Sequence, residues 1–292
     1  MKGYLHMSID QPQNQSTYMM DAESGAEMAR LLNLDTLLTQ GLGGLLPEPI
    51  DLSRIHTILD IACGPGGWVC NMAHQFSDKE VTGIDISQRM IDYANAYAQV
   101  RGLDNARFRT MDATKPLDFP DESFDMINMR SVFGFMTPTA WPRLLAECKR
   151  INRPGGVIRL IDVDTLGLTN SPAFQKLAGT FYLALKRAGQ SFSPDGHDFG
   201  LTPVLPRLLK NAGYTDIQKR AYVIDYSAGT EHSEGFYQNF RAGFQLVLPF
   251  MLKYGVITQE EFDDLYQQAL IEMLSDDFCA LVYFLSVWGT KP

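Results

Sequence analysis

Three carboxylates and two glycines give the chain its first chemical signal. Asp60, Gly64 and Gly66 stand in the run Thr57-Ile58-Leu59-Asp60-Ile61-Ala62-Cys63-Gly64-Pro65-Gly66-Gly67-Trp68, and Asp85 and Asp112 close two later runs. Residues 57–61 are apolar and rich in β-branched side chains, the pattern of a buried parallel strand, so ligand-binding groups are expected at its carboxyl end. Gly64 and Gly66 lack Cβ, tolerate positive φ and let a ligand approach the backbone. From Trp68 a helix is predicted whose free N–H groups face the same turn. Residues 80–86 form a second apolar run, and Asp85 lies about twenty residues beyond the glycine turn, a spacing suited to a carboxylate that accepts from ribose hydroxyls. The chemistry is that of a nucleotide-type ligand.

Two ligands of that type compete at this point, a dinucleotide and a methyl donor. A dinucleotide turn needs a third small residue for close helix packing, and Val69 fills that position when the motif is counted from Gly64. The turn instead resembles the Asp/Glu-x-Gly-x-Gly-x-Gly motif of class I S-adenosylmethionine-dependent methyltransferases, matched by Asp60, Ala62, Gly64 and Gly66, with alanine at the first glycine. Further matches fall in that family's order. Residues 106–113 resemble its third strand ending in an acid and alanine, Asp112-Ala113. Residues 117–130, with Pro120-Asp121-Glu122-Ser123-Phe124-Asp125, resemble its entry to the fourth strand, and residues 147–158 its helix, Pro-Gly-Gly turn and fifth strand. The chain is similar to the ubiquinone/menaquinone-biosynthesis methyltransferase superfamily, closely over residues 50–165 and more loosely elsewhere.

The resemblance implies S-adenosylmethionine as cofactor. It assigns Asp85 to the ribose hydroxyls, Ile86 to the adenine face, Asp112 with Ala113 to the adenine amino edge, and Gly64 to Gly66 to the methionine portion. Asp60 would anchor the turn and the amino group, and Met129 or Arg130 would offer that group a backbone carbonyl. Tyr18 resembles an N-terminal tyrosine that folds over the sulfonium in many small-molecule members; otherwise it is a packing residue of the first helix. His197, in the loop Ser193-Pro194-Asp195-Gly196-His197, is the first candidate for a general base, and His232 the second. His6, His56 and His74 read as surface residues. No metal site is expected, because the histidines are scattered and none has ligand spacing to another histidine or a carboxylate.

These residues need a scaffold that puts strand ends together. Alternating strand and helix patterns over residues 55–163 predict an α/β, Rossmann-like sheet with its ligand crevice at the carboxyl ends. The expected architecture is seven-stranded and mostly parallel, with an antiparallel last strand and helical lid insertions. Its divisions are a helical cap (1–50), a cofactor-binding core (51–169, 200–228 and 278–292) and two lid segments (170–199 and 229–277). Helix is predicted within 18–38 and over 201–212, strand over 217–226 and 278–289, while residues 1–16 read as weakly ordered. Both lid segments carry phenylalanine, tyrosine and leucine at helical spacing, which points to an apolar or aromatic small-molecule substrate.

Composition narrows the partners. The 292-residue chain has formal charge −9, so phosphate backbones are repelled and a nucleic-acid substrate is excluded. The four cysteines show no Cys-x-x-Cys spacing and read as reduced thiols, implying a cytoplasmic protein. No stretch of about 18 apolar residues predicts a membrane span. A monomer or homodimer methylating oxygen or carbon is expected, nitrogen being possible. The alternatives are a cofactor-retaining decarboxylase or hydroxylase relative and a non-catalytic cofactor-binding subunit.

Overall fold

The computed structural model describes residues 17–292; the expectations for residues 1–16, including His6, lie outside the described residues. The glycine-turn strand is β1 (Thr57–Ile61), buried from Ile58 onward. It pairs in parallel with β2 (Glu80–Asp85) on one edge and β4 (Phe124–Arg130) on the other, and β3 (Ala106–Thr110) extends the sheet beyond β2. β5 (Asn152–Val163) follows β4 in parallel. The last strand, β8 (Ala280–Thr290), inserts antiparallel between β5 and β7 (Thr215–Asp225). A two-residue β6 (Leu168–Thr169) pairs with the start of β8, continuing the line of β5. The described sheet therefore has eight strands where seven were expected, the extra one being this short continuation.

The parallel strands are uninterrupted apolar runs because both sheet faces are covered. On one face α2 (Gly67–Gln75) and α3 (Gln88–Val100) pack Trp68, Met72 and Ile91 against Ile58, Val81 and Met126. Residues of opposite parity, Leu59, Ile61 and Ile127, join a larger core that includes α4 (Trp141–Ile151) and α6 (Leu205–Asn211).

Several strand and helix boundaries shift by a few residues from expectation, and one shift matters. The first helix, α1 (Gly25–Gly41), begins after Ser24, whose side chain accepts from the Glu27 amide. Upstream, Asp21 accepts from the amides of Glu23 and Ser24. This turn and cap satisfy the helix N-terminus and leave Tyr18 on an extended strap. The strap is fastened: the Met19 amide donates to the Gly134 carbonyl at 3.1 Å and the Thr17 hydroxyl to the Phe135 carbonyl at 2.9 Å.

The two segments between core strands are helical as expected. They contain α5 (Pro172–Arg187), α7 (Ser233–Lys253) and α8 (Gln259–Met273). α5 packs on α8 and α1 on α7. Close approach of α1 to α7 depends on Gly235, where a Cβ would run into the Leu37 side chain.

Candidate active site

The carboxyl ends of β1 to β4 surround a cavity of about 240 Å³. Tyr18, Asp60, Ala62, Gly64, Asp85, Ile86, Asp112, Ala113 and Arg130 all line it. Gly66 and Met129 do not. Gly66 has φ +80°, and a Cβ there would meet Phe108 at 2.6 Å and Ala94 at 2.7 Å, so this glycine serves the packing of the turn on β3 and α3. Met129 is buried in the core, and the strand end reaches the cavity through Arg130 and Ser131.

The acids are held in distinct ways. Asp85 accepts from the Gly64 amide through one carboxylate oxygen and from the Ser87 amide through the other, each at 2.9 Å, with the Ile86 amide also directed at it. Burial raises its pKa against the pull of those amides. A carboxylate has about four lone-pair sites, so a hydroxyl donor can be added without breaking the turn. At Asp112 burial also opposes ionisation, but the Thr114 hydroxyl and amide and the Lys115 ammonium outweigh it and hold the pKa low. Beside Asp85, Ile86 stays 40% exposed, an apolar face presented at the cavity mouth.

Asp60 is buried at 4% exposure, and burial raises its pKa to about 7 despite Arg130 and Asn128. Its support is a row across three strands in register. Asn128 donates to Asp60 at 2.7 Å and accepts from the Arg159 guanidinium at 2.8 Å. Arg159 in turn lies 2.9 Å from the Glu48 carboxylate, although its Nε–H is not aimed at the oxygen. Arg130 pairs with Asp35 of α1 and stacks over Trp68, its guanidinium 5.9 Å from the ring centre.

A second cavity, of about 120 Å³, adjoins the first; Tyr18, Leu31, Leu34, Leu38 and Ser131 line both. Its wall is largely aromatic and aliphatic, with Phe181, Phe236, Phe240 and Phe244 from α5 and α7. Behind Tyr18 lies a polar cluster. The Tyr18 hydroxyl donates to Glu27 at 2.6 Å, Arg30 grips Glu27 with two bonds of 2.7 Å, and Arg30 Nη1 donates to Asn239 Oδ1 at 2.8 Å. Burial and the Glu27 carboxylate push the Tyr18 pKa far above its ordinary value, so the phenol stays protonated.

The described histidines lie away from both cavities. The His197 side chain is 83% exposed, beside Asp195 at 3.3 Å, and lines neither cavity. Its loop is folded by Ser193 and Asp195, which accept from the Gly196 and His197 amides, and Gly196 at φ +79° turns the following side chain outward. His232 stands at the N-cap position of α7 without a capping bond from its side chain, lies 3.5 Å from Glu231 and lines neither cavity. His56 and His74 are exposed, as expected. Asp35, Ser131, Glu27, Arg30 and Asn239 were not singled out in the sequence. In α1 an acid and an arginine three residues apart read as a solvated surface pair.

Residues 58–156 match the family model described as a methyltransferase domain, the stretch that spans the cavity's strands and turn. Over that stretch the chain carries a methyltransferase domain. A 27-O-demethylrifamycin SV methyltransferase of Amycolatopsis mediterranei is 36% identical over 47% of this chain and 47% of its own. A demethylmenaquinone methyltransferase of Geobacillus kaustophilus is 25% identical over 58% of this chain and 75% of its own. Among solved structures, Haemonchus contortus phosphoethanolamine N-methyltransferase 2 in complex with S-adenosyl-L-methionine aligns with TM-score 0.52 and 17% identity, covering 92% of this chain and 57% of that one. The Bacillus subtilis YcgJ protein aligns with TM-score 0.52 and 18% identity over 89% of this chain and 98% of its own. These structural likenesses carry the methyltransferase fold. The cavity also suits the cofactor chemically: carboxylates for hydroxyls and an ammonium, Ile86 for a base face and backbone N–H groups at the glycine turn.

Proposed function

We propose that the protein transfers a methyl group from S-adenosylmethionine to oxygen or carbon of an apolar or aromatic small molecule held in the second cavity. The observation that carries this reading is the junction of the two cavities at Tyr18 and Ser131, beneath helices that close off an aromatic chamber. When bound, the cofactor supplies a methyl already activated on a sulfonium, so the chain's tasks are alignment and exclusion of water. Asp85 accepts from the ribose hydroxyls, Ile86 covers the adenine face, and Asp112 with Ala113 meets the adenine edge. Asp60 takes the ammonium, with Asn128 holding its carboxylate in place. Tyr18 is a wall of both chambers, and its hydroxyl, committed to Glu27, is no base.

Neither cavity is lined by a histidine among the described residues, so the acceptor is one acidic enough to lose its proton to water or to a cavity carboxylate. Phenols and enolised carbonyl compounds meet that condition. The test is S-adenosylhomocysteine release by the purified chain with naphthols, quinols, glycine and phosphoethanolamine as acceptors. Turnover confined to the aromatic acceptors is expected. Turnover confined to phosphoethanolamine or glycine would overturn the reading.

A further inference from the structure

The aromatic chamber is not uniformly apolar: Arg30 and Asn239 face it from α1 and α7, at 9% and 8% exposure. Both are bound into the cluster that includes Glu27, and that bonding fixes which atoms remain available. A guanidinium only donates, so Asn239 must turn Oδ1 toward Arg30, and its Nδ2 is left as a donor. Among the described residues no hydrogen bond is made by that Nδ2, and it is not sealed from the cavity. Arg30 spends one N–H on each of its three nitrogens and directs another toward Tyr18, which leaves one. The Glu27 carboxylate that balances the guanidinium is fully buried behind it and is not part of the wall.

The chamber thus presents a patch of donors whose charge is already neutralised. A carboxylate or phosphate would have to shed its hydration with no net positive charge to receive it. A neutral acceptor completes the unused N–H groups without that cost. The hydroxyls of Ser131 and Thr165, on the same wall, can turn to suit either role. Building on the acceptor-site reading above, we infer that Arg30 and Asn239 form an oxygen-binding subsite selecting apolar acceptors that carry a neutral carbonyl-type oxygen, such as an aryl ketone, quinone or lactone. The carbonyl accepts from Asn239 and Arg30, and this fixes which edge of the ring system faces Tyr18 and the cofactor. Arg30 and Asn239 are specificity residues in this scheme and touch no reacting atom.

Three probes of matched shape test it on the full chain with saturating S-adenosylhomocysteine: 2-acetylnaphthalene, 2-ethylnaphthalene and 2-naphthoate. Dissociation constants come from equilibrium dialysis, and cofactor binding by calorimetry in the same samples reports an intact fold. The ketone is expected to bind about tenfold more tightly than the hydrocarbon, the effect of completing buried donors. Asn239→Asp keeps the shape and the bond from Arg30 but replaces the free donor with an acceptor, and should bring that ratio close to one. Equal binding of ketone and hydrocarbon, an unchanged ratio in Asn239→Asp, or naphthoate as the tightest ligand would each overturn the subsite. So would failure of all three to bind. Phe244→Trp fills the chamber and should weaken ketone and hydrocarbon alike; probes that bind this variant normally lie elsewhere, which would sink the acceptor-site reading itself and not the subsite alone.

Discussion

The two cavities share a wall yet are built in opposite ways. The floor of the cofactor cavity is assembled from consecutive strand ends within residues 57–131, with the strap and α1 as its cover, and its acids are mostly satisfied by near neighbours: Asp85 by Ser87, and Asp112 by Thr114 and Lys115. The acceptor chamber is gathered from the N-terminal strap, α1, the ends of β4 and β5, α5, α7 and β8, and its one polar cluster joins Arg30 to Asn239 across most of the chain. Local turns hold the acids of the first site, and the strap and α1 complete its wall. The second exists only once the helices have packed, so its polar residues carry stability as well as recognition.

That contrast predicts very different costs for removing one cation from each side. Arg30→Met strands Glu27, which is fully buried and retains only the Tyr18 hydroxyl and its helix cap. Leaving a buried charge without its partner costs about 3–5 kcal/mol. Urea denaturation should show a loss of that size, with much of it regained in Glu27→Gln/Arg30→Met. Lys115→Met also takes a cation from a carboxylate, but the Lys115 side chain is 51% exposed and the loss should stay below about 1 kcal/mol. Equal losses for the two single variants would erase the proposed difference between the sites.

A smaller effect separates the cavities by pH. Burial brings the Asp60 pKa to about 7 in the free protein, so below neutrality a proton must leave before the carboxylate can pair with an ammonium. Affinity for S-adenosylmethionine should therefore be level above pH 7 and fall below it, approaching tenfold per unit. Titration calorimetry in buffers of different ionisation enthalpy would count the released proton, and Asp60→Asn should flatten the profile. For the free protein the sign runs the other way: folding gains from the raised pKa at acid pH, and that gain is lost as pH rises through about 7. Neutral aromatic probes in the acceptor chamber should bind without pH dependence between 6 and 8. A cofactor affinity equally flat there would remove Asp60 from the ammonium.

The same contrast explains what could be read in advance. Strand, turn and helix order around Asp60, Asp85 and Asp112 was legible because period, glycine and acid all lie within short windows, and the sheet order with its antiparallel end follows from that pattern. Gly66 takes the positive φ expected of it yet lies outside the cavity lining, and of the pair Met129 or Arg130 it is Arg130 that lines the cavity, since the motif gives position along the chain and not the direction a residue faces. His197 drew attention as an ionisable group in a loop before a helix, but the turn made by Ser193, Asp195 and Gly196 aims it at solvent. Nothing local marks Arg30 and Glu27 as buried. Their burial is decided by Asn239 and Gly235 on a helix two hundred residues away, and one sequence carries no signal for that meeting.

The smallest effect concerns the one place where the legible site departs from its family. Ala62 stands where the motif has glycine, and its φ of +59° keeps the left-handed backbone that glycine would adopt. An L-residue there costs roughly 1–2 kcal/mol, whereas restoring glycine widens the unfolded ensemble by roughly 0.4–1 kcal/mol. Ala62→Gly should therefore stabilise the free protein by about 0.5–1 kcal/mol, a rise in Tm of about 1–3 °C for a chain of this size. Because Ala62 lines the cofactor cavity and not the acceptor chamber, any accompanying change in binding should fall on S-adenosylmethionine and leave the aromatic probes unaffected. A fall in Tm would mean that the alanine methyl makes contacts worth more than the backbone strain it imposes. The turn would then depend on its neighbours for its shape, as the acceptor chamber does.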